Sequence, residues 1–167
     1  MIKLEKIRIV KVIDSDPDLS HLGEYSDTPK PGAIDREKEG DLERGEYRYF
    51  NPGNYDPSDP NKRENALLVY RRYEDYNRGE WGCIGIKAEA DVLIQTPTMK
   101  INKCWISKEF GSGGLWGIES DSGPDYFKEV VLEELEELKE ILKEIGIPEK
   151  EIEGMGEKAI SEFMESI

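Results

Sequence analysis

The stretch from Trp81 to Val92 constrains the fold more than any other part of the chain. One register brings Trp81, Cys83 and Gly85 together, and the opposite register brings Ile84, Ile86, Ala88, Ala90 and Val92 together. Alternate residues of a strand point to opposite faces, so small or apolar residues on both faces leave neither for water. Such a strand belongs in the middle of a sheet, with neighbours on both edges. At 167 residues the chain is long enough for one core and too short for two large ones, so the expectation is a single domain over residues 1–167.

The remaining elements follow from periodicity and punctuation. Ile7, Ile9 and the run Val10 to Ile13 make residues 1–13 a strand. Two more strands are expected around Lys100 to Glu109 and Leu115 to Glu119, joined through Gly111, Ser112, Gly113 and Gly114 in a hairpin. Asp59 and Pro60 open a helix over 60–78 that Gly79 closes, with Ala66, Leu67, Tyr70 and Tyr73 on one face. Ser122, Gly123 and Pro124 open the clearest helix, Asp125 to Ile145, with Ser122 or Asp121 as its cap and Gly146 and Pro148 as its stop. A short last helix is expected from Glu157 to Ser166. Between Asp14 and Arg63, six prolines and five glycines punctuate a long turn-rich segment (14–63) in which only Glu46 to Phe50 reads as a strand. Stretches of this kind are either functional or partly disordered. The fold class is therefore α+β: an antiparallel-dominated sheet of four or five strands packed by two main helices, plus a short C-terminal helix.

Charge separates the function classes. The chain has 37 acidic and 23 basic side chains, a net −14. Resolved by segment, residues 1–13 carry +3, 14–63 carry −6, 64–117 are balanced, and the acidic helical part 118–167 carries −11. Nucleic-acid binding rests on Lys and Arg displacing counterions, so direct binding to DNA or RNA is not expected. No apolar run reaches the roughly 18 residues of a membrane span, and the N-terminus alternates Lys, Glu and Ile without a signal-peptide core; a cytoplasmic protein is expected. Cys83 and Cys104 give neither a disulfide framework nor a zinc spacing.

Most catalytic patterns are absent. His21 is the only histidine, and it sits among turn residues where a surface role is the default. The glycines at 111, 113 and 114 lack the following Lys and helix of a phosphate-binding loop. Asp14, Asp16 and Asp18 match the first alternate ligand positions of a calcium loop, but Leu19 stands where its glycine is needed and Tyr25 where its bidentate Glu is needed. Glu119 and Asp121, with Asp125, form a second acidic cluster at a strand end, where capping and the helix dipole also call for acids. These five, Asp14, Asp16, Asp18, Glu119 and Asp121, are the candidate metal ligands of an alternative reading as a metal-dependent enzyme. Trp81, Trp105, Trp116 and the Tyr47, Tyr49, Phe50 cluster read as sheet core, since no basic stretch accompanies them. No cofactor is expected.

The helix from Asp125 to Ile145 carries a stripe of Phe127, Val131, Leu135, Leu138, Leu142 and Ile145. Glu129, Glu133, Glu136 and Glu140 fall almost opposite it, and Glu137 and Glu144 flank them. The ridge from Glu129 to Glu140 is about 16 Å long, with about one charge per 4 Å, close to the ~3.4 Å per phosphate of one DNA strand. Local stability does not favour this arrangement: 129/133, 133/137, 136/140 and 140/144 are like-charge pairs, each costing roughly 0.2–0.5 kcal/mol, offset in part by Asp125 with Lys128, Glu136 with Lys139 and Glu140 with Lys143. The ridge is either a solvated face or a surface for a basic protein partner.

The block Gly113-Gly114-Leu115-Trp116-Gly117-Ile118-Glu119-Ser120-Asp121-Ser122, followed by a long acidic helix, resembles an uncharacterised family of small proteins carried by bacteriophages, prophages and plasmids. Asp16-Pro17-Asp18-Leu19-Ser20, Arg44-Gly45-Glu46-Tyr47-Arg48-Tyr49-Phe50 and Tyr76-Asn77-Arg78-Gly79-Glu80-Trp81 are similar to the same family. The resemblance covers most of residues 14–145 and stops after Ile147. It implies a genomic setting, in which small acidic accessory proteins often inhibit host defence by binding basic surfaces. The expectation is a non-enzymatic acidic binding protein of mobile-element type that sequesters a basic, nucleic-acid-handling host defence protein. An accessory phage protein with no inhibitory role is the remaining alternative.

Overall fold

A computed structural model describes residues 1–96 and 104–167. In chain order the elements are β1 (Ile2–Ile13), β2 (Gly23–Ser26), β3 (Ile34–Asp35), α1 (Arg36–Glu39), β4 (Tyr49–Pro52), α2 (Lys62–Asn77), β5 (Cys83–Thr96), β6 (Cys104–Gly111), β7 (Leu115–Glu119), α3 (Pro124–Glu144) and α4 (Glu149–Met164). The class is α+β. The chain divides into two compact units, one of residues 1–15 and 83–167, the other of residues 16–82. Among the described residues no helix is long and apolar enough to cross a membrane.

In the first unit β5 is the central strand of a four-stranded antiparallel sheet. On one side it pairs with β1 from Ile84↔Ile13 to Ile94↔Ile2. On the other it pairs with β6 from Thr96↔Cys104 to Glu89↔Gly111, then with β7 from Ile86↔Leu115 to Cys83↔Glu119. Ile86, Ala88, Ala90 and Val92 are fully buried under α3 and α4, together with Leu4, Val131, Leu138 and Leu142. Each such Leu, Ile or Val contributes roughly 1.5–3 kcal/mol of burial free energy. The alanines at 88 and 90 leave room for the helices to lie close to the sheet.

The expected hairpin between residues 109 and 115 does not form. β6 and β7 run in the same direction along the same side of β5, and the Gly-Ser-Gly-Gly segment is a bulge between them. Ser112 donates its N–H to the Ala88 carbonyl at 2.9 Å, and its Oγ accepts the Ala88 N–H at 2.9 Å, so a hydroxyl replaces a carbonyl in the ladder. One extra residue then separates Ser112 from Leu115, which rejoins opposite Ile86. Gly114 turns there at φ +81°, in the left-handed region that suits glycine. The expected strand start at Lys100 lies outside the described residues.

The helices differ from expectation at their ends. Gly123 caps α3 without a side-chain hydrogen bond, so neither Ser122 nor Asp121 has that role; Pro124 takes the first turn. Past its other end Gly146 sits at φ +91° and Ile147 N–H reaches back to the Leu142 carbonyl, a left-handed stop. The last helix begins at Glu149, eight residues before the expected Glu157. Gly154 and Gly156 lower its intrinsic propensity, but Gly156 is buried, and a Cβ there would stand 4.0 Å from Leu135 of α3.

The outer face of the first sheet is polar. Arg8 of β1 holds Glu89 at 2.8 Å, Asp91 at 2.6 Å and Glu109, one carboxylate from each of three places on the neighbouring strands. Lys87 also pairs with Glu89, which is only 7 % exposed. Trp105 and Trp116, expected in the core, are 41 % and 48 % exposed, with Trp116 lying over Gly85. Trp81 is buried and stacks under Arg72.

The second unit orders the turn-rich segment. β2 and β3 flank β4 antiparallel, and α2, the helix expected over 60–78, packs on this small sheet. Ile34, Phe50, Ala66 and Tyr70 form its core, and Phe50 meets Tyr25, Tyr70 and Tyr73 at ring distances of 5.6, 5.4 and 5.3 Å. Buried Asn51 accepts the Lys30 N–H at 2.9 Å and donates to the Thr28 carbonyl at 3.1 Å, which pins the loop between β2 and β3. Asp59 accepts from the Asn61 N–H and the Asn65 amide ahead of α2.

Two stability predictions follow from these contacts. Ser112→Ala strands the buried Ala88 N–H and is expected to cost about 1–3 kcal/mol in urea unfolding. The Lys87 ammonium, joined by Arg8, holds the Glu89 carboxyl below its ordinary value of 4.5. Its stabilisation is therefore fully present above pH 4.5 and is lost as pH falls further. Glu89→Gln should lower stability at pH 7 and flatten the acid side of the pH–stability curve; an unchanged acid side counts against the network.

Candidate functional site

The acidic ridge is set by how α3 is held. Two of its glutamates turn toward the sheet: Glu134 accepts the Gly114 N–H at 2.9 Å, and Glu137 accepts the Gly113 N–H at 3.0 Å. Buried Glu134 satisfies one bulge amide and Glu137 the other. Glu137, expected to bind a partner, is thus engaged within the fold.

With those contacts and the apolar stripe fixing the rotation of α3, Glu129, Glu133, Glu136, Glu140 and Glu144 are all exposed. Glu140 pairs with Lys143 at 2.9 Å. The other two offsetting pairs expected from sequence are not made. Lys139 turns from Glu136 to α4, where it meets Glu149 at 2.9 Å and Glu153 at 3.4 Å. Glu149 holds the Lys139 ammonium above its ordinary range and is itself held below the usual carboxylate range. Lys128 makes no ion pair with Asp125 among the described residues. Glu129, Glu133, Glu136 and Glu144 have no hydrogen-bond or ion-pair partner among the described residues.

Two exposed apolar side chains share this face. Leu132 is 47 % exposed and lies one helical turn from Glu129 and from Glu136; Tyr126, 44 % exposed, lies one turn before Glu129. At about 100° per residue the four glutamates Glu129, Glu133, Glu136 and Glu140 lie between them, so the face is a charged strip with one apolar side chain on each edge.

Of the candidate metal ligands, Asp14 reaches the β7 strand that ends at Glu119. Asp14 belongs to the first unit and accepts the Gly117 N–H at 3.2 Å; Asp16 and Asp18 belong to the second. Asp18 accepts the Ser20 N–H at 2.9 Å, and the Ser20 hydroxyl and amide hold its carboxyl below the usual range. Glu119 ends β7 opposite Cys83, and Asp121 lies in the turn that follows. Among the described residues no group of three or more His, Cys, Asp or Glu side chains is placed to hold a metal ion. His21 is exposed.

One polar cluster was not read from the sequence. Arg36, 5 % exposed, donates to the Tyr70 hydroxyl at 3.3 Å, the Tyr47 carbonyl at 2.9 Å and Glu46 at 2.9 Å, and lies 4.8 Å over the Tyr25 ring. Tyr25 donates to Glu74, and Tyr70 to Asp41 at 3.1 Å. Burial pushes the Tyr70 phenol up to about 12, and burial with Glu74 raises Tyr25 further. The cluster closes the small sheet against α2.

Comparison with protein-family models, with curated proteins and with solved structures finds no match.

The lack of a three-ligand group among the described residues predicts the response to divalent ions. In a thermal-shift series with Mg²⁺, Mn²⁺ and Ca²⁺, all three should move the melting point weakly and alike by screening. A saturable rise for one ion, removed by Asp14→Asn or Glu119→Gln, would restore the metal reading.

Proposed function

We propose that the chain is a non-enzymatic binding protein whose α3 face, Glu129, Glu133 and Glu136 flanked by Leu132 and Tyr126, engages a basic protein. The observation that supports this reading is sparse counter-charge: Lys139 makes its ion pairs with α4 and acts on Glu136 only at longer range, and Glu129, Glu133 and Glu136 make no ion pair among the described residues. Acid carried without local compensation is worth more to a basic partner than to the helix, where it costs stability. The partner class we assign is a nucleic-acid-handling host defence protein in the cytosol, because the charge spacing approximates one phosphate strand and the sequence resembles proteins of mobile elements. Glu140 belongs to the rim of this surface, and Glu137 does not belong to it.

The test is charge reversal at Glu129, Glu133 and Glu136 to Lys, with capture from bacterial lysate at low and high salt. Wild-type protein is expected to retain a basic nucleic-acid-binding protein at low salt and release it to added DNA. The triple variant should lose that capture while its melting point stays close to the wild-type value, since 133/137 and 136/140 become opposite-charge pairs and 129/133 remains a like-charge pair. Equal capture by the variant would take α3 out of the function.

A further inference from the structure

The first sheet has two open edges, and they are built differently. The β1 edge carries a bulge between Leu4 and Lys6 and exposes Lys3, Lys6 and Lys11, the usual protections against pairing with another chain. The β6 edge is less protected, with no bulge and a single lysine, Lys108, at its centre. Its register against β5 is unbroken from Thr96↔Cys104 to Glu89↔Gly111, it has no proline, and among the described residues no strand pairs with its outer side. Trp105 and Ile106 point to opposite faces and are 41 % and 43 % exposed, so neither face is covered.

Ladder geometry identifies the free backbone groups. Gln95 N–H donates to the Met1 carbonyl at 2.9 Å and Ser112 N–H to the Ala88 carbonyl at 2.9 Å, so odd-numbered residues of β5 bond toward β1 and even-numbered ones toward β6. Through Ile94↔Ile106, the even-numbered residues of β6 bond to β5. Trp105, Ser107 and Glu109 therefore present their N–H and C=O groups to the open edge.

We propose that this edge pairs antiparallel with the same edge of a second copy of the chain, about a two-fold axis at Ser107 perpendicular to the sheet. That axis keeps the helix-bearing faces on one side, so even-numbered residues meet even-numbered ones. Centred on Ser107, the register lets Ser107 bond its own copy and lets Trp105 and Glu109 exchange backbone hydrogen bonds with Glu109 and Trp105 of the second copy. Ile106 then faces the aliphatic stem of Lys108, and Trp105 covers a Glu109 whose charge Arg8 already compensates. The competing registers are poorer: centring on Lys108 sets two ammonium groups face to face, and centring on Ile106 leaves Glu109 without a described partner.

The test is the oligomeric state of the full chain by sedimentation velocity and light scattering, with three variants. Wild-type protein is expected to dimerise in the micromolar range. Ser107→Pro removes an outward N–H while leaving the β5 ladder intact, and Trp105→Lys alters an exposed side chain. Each should raise the dimer dissociation constant by at least about tenfold, the scale of losing one or two interfacial bonds, with far-UV circular dichroism unchanged. In a Cys104→Ser background, Ser107→Cys should be joined to its copy by a short bifunctional thiol cross-linker, because hydrogen-bonded antiparallel partners have Cα atoms about 5.5 Å apart. Wild-type protein that stays monomeric throughout that range would overturn the proposal and leave the edge to a strand from another protein. A dimer indifferent to both substitutions, or one that Ser107→Cys fails to cross-link, would equally overturn it.

Discussion

Two backbone amides in a bulge govern what the outer surface can do. β5 is too long and too apolar to be left unpaired on either edge, and on one edge the chain covers it with two strands in series. Joining β6 to β7 in line inserts an extra residue, and the insertion turns Gly113 and Gly114 N–H groups away from the ladder. Unsatisfied amides at such a place are costly. α3 answers with Glu134 and Glu137. Because helical residues are fixed at about 100° apart, placing those carboxylates on the bulge and Leu138 and Leu142 in the core leaves Glu129, Glu133 and Glu136 no orientation but outward. The ridge follows from the central strand through the bulge.

The same acid excess has different consequences in different places. On the outer sheet face Arg8 and Lys87 collect Glu89, Asp91 and Glu109, and in the small unit Arg36 collects Glu46 and Glu74. There the acids are partners in structure, and their charge is largely cancelled. Between α3 and α4, Lys139 and Lys143 share Glu140, Glu149 and Glu153. That bracing of two helices also draws the ion pairs of Lys139 away from the ridge. The net −14 is thus unevenly compensated: these clusters cancel much of their own charge, while Glu129, Glu133 and Glu136 on α3 make no ion pair among the described residues.

What could be read from sequence was whatever depends on spacing along one element. The double-sided apolar pattern of residues 81–92 marked the central strand, and the α3 stripe and its Gly146 stop stood where periodicity and backbone preference put them. What escaped depends on partners distant in sequence. Gly111 to Gly114 has the composition of a hairpin turn, and only Ala88 and the α3 glutamates make it a bulge. The short strands Gly23–Ser26 and Ile34–Asp35 carry almost no pattern of their own and exist because Asn51, Phe50 and Arg36 hold them. Gly154 and Gly156 disguised the first half of α4, where burial of Ile152, Ala159 and Phe163 outweighed propensity. Glu137 looked identical to Glu136 until its amide partner was in place. Trp105 and Trp116 satisfied a strand pattern, but period two cannot say which face of a sheet is covered.

The two surfaces that stand out, the α3 ridge and the β6 edge, belong to one unit and are related by its geometry. α3 lies on the helix-bearing face, and the proposed two-fold axis runs perpendicular to the sheet. Both copies of α3 in such a dimer would therefore face the same side, presenting two acidic ridges to one partner surface. Linking two modest sites raises overall affinity through effective concentration, without any new contact. Ion pairs at exposed surfaces are individually weak and salt-sensitive. A single ridge of three open carboxylates is a poor competitor for a basic protein that also sees nucleic acid, and a pair held in fixed relation is a better one. Dimerisation through β6 would supply the avidity that the ridge alone lacks, and the unprotected edge and the uncompensated charge would then serve the same binding event.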